Sequence, residues 1–135
     1  MSELENLLTE TDAIAHLATA VDDRPHVAPV WYGYEDGVVS ILTGGQKRAN
    51  ARENPLVSIS IQEANDGVPE WRVVLRGTAS VIDDVTAINE AARWIYPQYI
   101  GDDVESWPPV YRSALSDDPN ESLLRVDIGS ASLMS

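Results

Sequence analysis

Apolar residues in this chain alternate with polar ones in short runs, and most runs are separated by a few turn residues instead of a helix. That feature limits the fold more than any other. Strands joined by short turns pair antiparallel, because a parallel neighbour needs a crossover of about a dozen residues or more. The expected strands are residues 13–20, 26–34, 38–43, 56–62, 71–82 and 122–128. Six antiparallel strands curled into a barrel are the economical arrangement, and a doubly wound parallel sheet is excluded. The first two runs flank Asp22-Asp23-Arg24-Pro25, a hairpin signal, and Pro29 sends the second run to an edge or a bulge. Glu35-Asp36-Gly37 is a turn, a polar loop passes through Asp66-Gly67, and Gly77 marks a bend in the fifth run.

Helical spacing is confined to three places. Leu4, Leu7 and Leu8 share a face behind Ser2 and Glu5, which have capping-box spacing. Residues 46–54 follow the Gly44-Gly45 break and are stopped by Pro55. Asp83-Asp84 caps a helix that repeats Val85, Ile88, Ala92, Ile95 and Tyr99. Residues 101–120 are rich in Pro and Asp, with one helical turn near 110–115, and a small polar tail follows Ile128. At 135 residues the chain reads as a single domain, 1–135, mainly β with short helices.

Charge narrows the partners. Twenty-two acids against nine bases leave a net charge of -13, which repels nucleic acid and anionic lipid. The acidic start and the lack of a long apolar run favour neither a secretory leader nor a membrane span, so a cytoplasmic protein is expected. The chain has no cysteine, which removes disulfides, thiolate metal sites and cysteine nucleophiles. The adjacent pairs Asp22-Asp23, Asp83-Asp84, Asp102-Asp103 and Asp117-Asp118 fall in turns or helix starts. They read as a solvated acidic coat of the kind found in organisms with molar internal salt, in preference to carboxylate metal sites. A halophilic archaeal source is the corresponding expectation.

One window breaks the acidic pattern. Residues 37–52 contain no acid, yet hold Lys47, the sole lysine, with Arg48 and Arg52. They lie on Thr43-Gly44-Gly45-Gln46-Lys47-Arg48, a strand end, a glycine pair and a helix start. Cations are unfavourable at a helix N-terminus unless an anion joins them, and glycines let backbone N–H groups approach that anion. A phosphate site is the reading with chemical content, and a solvated turn is the plain alternative. The spacing is not that of a Walker A loop.

Ala15-His16-Leu17-Ala18-Thr19-Ala20, Pro25 through Tyr32, Leu42 through Asn50, Asn54 through Ile59 and Arg76-Gly77-Thr78-Ala79 resemble, in order and spacing, the pyridoxamine 5′-phosphate oxidase-like superfamily. The resemblance covers about residues 11–82. It implies a split β-barrel of the FMN-binding type, a homodimer with cofactor sites between protomers, and FMN or the deazaflavin coenzyme F-420 as cofactor. It places the cofactor phosphate near Thr43, Lys47 and Arg48, and the ring against the backbone of Val30, Trp31 and Tyr32. Asn50 matches a frequent Asn of the same helix, and Gln62 or its neighbours would contribute from the next strand. The implied activity is hydride transfer to or from a small organic substrate. A non-catalytic flavin- or haem-binding module is the alternative.

The departures are equally specific. His26 and Trp31 stand where the oxidase itself carries an Arg and a Lys, Gln46 replaces the usual Arg before the helix lysine, and residues 123–135 show no match to its substrate segment. Pyridoxamine phosphate oxidation is therefore not expected. The two histidines, His16 and His26, read as strand residues more readily than as catalysts, with His26 the better candidate. Trp31, Tyr32 and Tyr34 would flank the ring or fill the core. Trp94, Trp107 and Tyr111 fall in the divergent third, as pocket or dimer contacts.

Overall fold

The computed structural model describes residues 2–134, with the side chain of Ser2 outside the description, so the proposed Ser2 cap is not addressed. Helix α1 (Ser2–Thr9) leads into strands β1 (Ala15–Val21), β2 (Arg24–Val30), β3 (Gly33–Glu35) and β4 (Val38–Thr43). Helix α2 (Gly45–Glu53) follows, then the long strands β5 (Leu56–Asn65) and β6 (Val68–Ile82). Helices α3 (Val85–Ile95), α4 (Pro97–Ile100) and α5 (Pro109–Arg112), with two 3-10 turns, precede β7 (Ser122–Met134).

Three two-residue turns make the local hairpins. Asp22 and Asp23 have φ of 50° and 63°, Asp36 and Gly37 of 49° and 80°, and Asp66 and Gly67 of 52° and 83°. Positive φ at both central positions matches the twist of the flanking strands, and Asp and Gly tolerate it best. The β1–β2, β3–β4 and β5–β6 pairs are all antiparallel. The expected polar loop at Asp66-Gly67 is thus a tight hairpin turn, and both strands run further than their alternation indicated.

The ladder order is β2-β1-β5-β6-β7-β4-β3, a single antiparallel sheet of seven strands. Two expectations need correction. There are seven strands and not six, because the apolar run 26–34 divides at Trp31-Tyr32 into β2 and β3. The small polar residues after Ile128 are not a tail: β7 continues to Met134, pairing with β6 down to Arg72.

Nor is the sheet closed by hydrogen bonds, since β2 and β3 are the two ends of the ladder. Those ends are nevertheless joined by two residues. Seven strands laid flat would separate their outer members by about 29 Å at the usual spacing. A link of this length reaches only about 10 Å, so the sheet must curl. Gly77 helps it do so. The β6–β7 register shifts between Arg76 and Gly77, and a Cβ at Gly77 would lie 2.3 Å from the Asp127 carbonyl oxygen.

Inside the curl sits the main core, with Leu17, Ile41, Ile59, Ile61, Leu75 and Val126 among its fully buried members and Leu4 and Leu8 of α1 closing one end. A second cluster forms where α3 and the segment after it pack on β4 and β7, around Ile88, Ala92, Ile95, Trp107 and Leu123. Asp84 caps α3 as expected, its carboxylate accepting from Ala87 N at 2.9 Å. Asp22 and Asp23 in a turn, with Asp84 at a cap, support the solvated reading of the acid pairs. No described helix is long and apolar enough to cross a membrane.

Candidate functional site

Strand β4 ends at Thr43, and the chain enters α2 through Gly44 and Gly45, the latter with φ of 63°. Gly44 is the N-cap and offers no side-chain acceptor, and the first turn of α2 has no acid. The N-terminal amides therefore lack a side-chain cap, leaving them available to an anion. Lys47 lies in this first turn, half-buried. Among the described residues the one ion pair is Arg52–Asp83 at 2.7 Å, so Lys47 has no carboxylate within 4 Å.

Lys47, Thr43 and Gly44 form one wall of a cavity of about 390 Å³, with Val30 and Trp31 on another. That volume lies within the range of about 300–1,000 Å³ typical of small-molecule sites. The remaining lining is apolar and aromatic, including Ile14, Tyr96 and Tyr111, with Glu121 as its one acid. An apolar slot ending in a lone ammonium and free backbone donors suits a planar ring carrying a phosphate. No histidine or methionine lines it to serve as a haem axial ligand.

Four of the eight residues expected at the cofactor are thus brought together: Val30, Trp31, Thr43 and Lys47. The other four do not line this cavity. Arg48 donates to Asn120 O at 2.8 Å and Ser122 Oγ at 3.2 Å, which ties α2 to the start of β7. Asn50 is 5% exposed and donates to Thr19 Oγ1 at 3.0 Å, fastening α2 to β1. The Tyr32 hydroxyl is buried in the core and donates to Leu8 O at 2.7 Å, while its backbone N–H donates to Tyr99 Oη at 3.3 Å. Gln62 stands exposed on β5, paired in register with Arg72, away from the cavity.

Trp31 occupies an aromatic stack. Its ring lies 4.8 Å from Tyr99 at 5° and 4.7 Å from Tyr111 at 24°, with Tyr96 edge-on at 5.7 Å. Both faces of the indole are covered, so it lines the cavity beside a ligand and does not stack on one in this arrangement. Burial, reinforced by Glu121 and Tyr111, raises the Tyr96 phenol well above its ordinary value and keeps it protonated. Burial likewise raises Tyr99, whose hydroxyl donates to Ala13 O at 3.0 Å.

The remaining sequence candidates separate cleanly. Tyr111 lines the cavity; Trp107 is core, its indole donating to Gly101 O at 2.8 Å. Trp94 is 39% exposed and packs over Gly33. His16 is exposed, and His26 is half-buried beside Gln46 and Asn50, its Nδ1 without a hydrogen-bond partner. Sequence reasoning missed Glu121, Tyr96 and Ile14. Glu121 is a single acid ahead of the last strand, with no local pattern to mark it.

Known proteins share this architecture. A conserved hypothetical protein of Mycobacterium tuberculosis superposes with a TM-score of 0.79 at 21% identity, covering 100% of this chain and 85% of its own. A FAD-binding protein of Mesorhizobium loti gives 0.72 at 25% identity, with 98% and 91% covered. A protein described as F420 reductase gives 0.64 at 20% identity, with 94% of each chain covered. No curated protein matches the sequence significantly. The family model described as pyridoxamine 5′-phosphate oxidase matches residues 2–134, and with that span matched the chain belongs to this family.

Proposed function

We propose that this protein is a flavin- or deazaflavin-dependent oxidoreductase that holds its cofactor in the Lys47 cavity and exchanges hydride with a small organic substrate. The observation that carries the reading is the convergence of the unpaired Lys47 ammonium, the uncapped start of α2 and an apolar slot in one cavity. The family match and the two structural relatives described as FAD-binding and F420 reductase support the cofactor class.

When bound, such a group supplies the hydride chemistry at its central ring. The chain supplies the rest. Lys47 and the first amides of α2 would hold the phosphate, Thr43 and Gly44 would let it approach the backbone, and Val30 would lie against the ring. Ile14, Trp31 and Tyr111 keep water from the reacting face. FMN is the reference ligand and the deazaflavin coenzyme the second. Pyridoxamine phosphate is not the expected substrate, given His26 and Trp31 in place of cations.

The fold is read as a split barrel working as a homodimer. Val27 and Leu56, 65% and 68% exposed, stand on the outer face of β2, β1 and β5. Gln62 projects from the same face, so it would reach a cofactor across a subunit contact. The test is an absorbance titration of the purified protein with FMN, deazaflavin and haem, alongside its molar mass by light scattering. Saturable binding of one flavin or deazaflavin per chain, on a particle of twice the chain mass, is expected. Failure of every flavin and deazaflavin to bind overturns the cofactor reading, and a monomer that binds flavin overturns the dimer alone.

A further inference from the structure

Two stretches of chain line the cavity, one falling between Ile14 and Lys47 and the other between Tyr96 and Glu121. The first carries the groups assigned above to the cofactor. The second carries a polar atom with no part in holding the fold, the Tyr96 hydroxyl. Tyr96 is 5% exposed, and its phenol makes no hydrogen bond among the described residues. A buried hydroxyl normally finds a partner. This oxygen is nevertheless not sealed away, since the one buried side-chain polar atom left orphaned among the described residues is His26 Nδ1. It is therefore open, and the space that Tyr96 lines is the cavity.

The ring that carries it is held still. Trp31 and Trp107 each meet it edge-on at 5.7 Å, and Tyr111 does so at 5.3 Å. The backbone is fixed as well, at the junction of α3 and α4. Tyr96 N–H donates to Ala92 O at 3.1 Å, and its carbonyl accepts from Tyr99 N at 3.0 Å and Ile100 N at 2.9 Å. With the phenol kept protonated by burial, the cavity holds a neutral O–H donor that is set in place and has no acceptor.

Resting on the reading above, we propose that the Tyr96 hydroxyl is the hydrogen-bond donor to the substrate, receiving the carbonyl-type oxygen of an uncharged, largely apolar molecule. A neutral hydroxyl does not balance an anion, and Lys47 is assigned to the phosphate. Ile14, Pro29, Val30, Leu42 and Val110 offer apolar contact to the rest of the molecule. A site with one fixed donor rejects analogues that lack the oxygen, because the donor is then left unpaired. Tyr111 is the weaker candidate, being half-buried and set on the four-residue α5.

The probes are acetophenone, an aromatic ketone, and ethylbenzene, which has a similar shape without the oxygen. Wild type, Tyr96→Phe and Tyr111→Phe are each saturated with the flavin or deazaflavin that binds, kept oxidised so that nothing turns over. Both probes are titrated, and the carbonyl stretch of bound acetophenone is read by infrared difference spectroscopy. Wild type is expected to bind acetophenone about fivefold more tightly than Tyr96→Phe, the usual weight of one neutral hydrogen bond, and to move the stretch to lower frequency. Tyr96→Phe should lose that shift, bind ethylbenzene as wild type does and keep its affinity for the cofactor. Tyr111→Phe should keep the shift.

The proposal is overturned by an unshifted stretch in wild type, by a shift that survives in Tyr96→Phe or vanishes in Tyr111→Phe, or by failure of acetophenone to bind the loaded protein. Loss of cofactor binding in Tyr96→Phe would assign the hydroxyl to the cofactor and overturn it too. Failure of every flavin and deazaflavin to bind wild type would instead overturn the parent cofactor reading, and this proposal with it. Ligand-free thermal melts of Tyr96→Phe should match wild type, because the substitution removes no hydrogen bond within the fold; a large drop would make the hydroxyl structural and end the proposal.

Discussion

At the scale of single residues, neighbours in sequence do opposite work. Lys47 and Arg48 are adjacent cations, yet one faces a cavity unpaired and the other stitches α2 to the chain before β7. Lys47→Ala is expected to weaken flavin binding about tenfold or more, the usual weight of a charge-assisted contact, while ligand-free stability stays within about 0.5 kcal/mol. Titration and thermal melts read the two effects separately, and a collapse in stability would make Lys47 structural. Asn50 is the converse case. Asn50→Ala strands the buried Thr19 hydroxyl and should cost about 1–3 kcal/mol in urea denaturation. The place of Lys47 at a cavity was legible because it is the sole lysine and lies within an acid-free window. The role of Asn50 was not, because its partner lies on a strand 31 positions away.

Among the elements, the turns and the caps were the most readable and the long apolar runs the least. Asp-Gly and Asp-Asp pairs state their backbone geometry locally, and Asp84 caps α3 as its position implies. Residues 26–34 hid a strand boundary because both sides of it are apolar. Trp31 joins the α3-side cluster and Tyr32 the main core, so no polar residue marks the break. The last stretch of β7 was equally silent, since its residues are exposed beyond Ile128 and show no buried period.

Gly77, by contrast, was legible as a bend. Gly77→Ala should cost at least about 2 kcal/mol, visible as a lowered midpoint in denaturant, because the Asp127 backbone leaves no room for a methyl group. Asp83 sits where α2, α3 and β7 meet. Its carboxyl is lowered by the Ser122 hydrogen bond first and then by Arg52 and Arg48. A lowered folded value means that its stabilisation is complete above the ordinary carboxylate range and fades as pH falls through the folded value. Asp83→Asn should therefore melt below wild type at pH 7 and match it in strong acid. Since the pair with Arg52 is more than half exposed, the difference should also shrink in high salt.

For the whole molecule, the curled seven-strand sheet leaves Val27 and Leu56 exposed on its outer face, and Pro29, two residues along from Val27, lines the cavity. Net charge acts on all of it at once. With -13 over a chain this small, self-repulsion opposes the compact state, and raising KCl from about 0.01 M to 1 M shortens the screening length from about 30 Å to 3 Å. The melting temperature is expected to rise across that series, followed by calorimetry; a flat or falling trend would mean that the acids are already balanced locally. Class and antiparallel pairing were open to sequence reasoning because they follow from turn chemistry. Ladder order was not, because β1–β5, β6–β7 and β4–β7 pairings depend on contacts far apart in the chain.

That order has a kinetic consequence. The last strand of this sheet in chain order, β7, lies between β6 and β4, supplying the inner seam of the sheet and not its rim. Until residue 134 has left the ribosome, β4 and β6 each present an open backbone edge. The three local hairpins can form early, but the domain cannot lock until β7 slides between them. Folding should therefore be slow relative to hairpin formation, as expected where distant pairings dominate. The waiting intermediate, with two unpaired edges, is the species in which chains would misassemble.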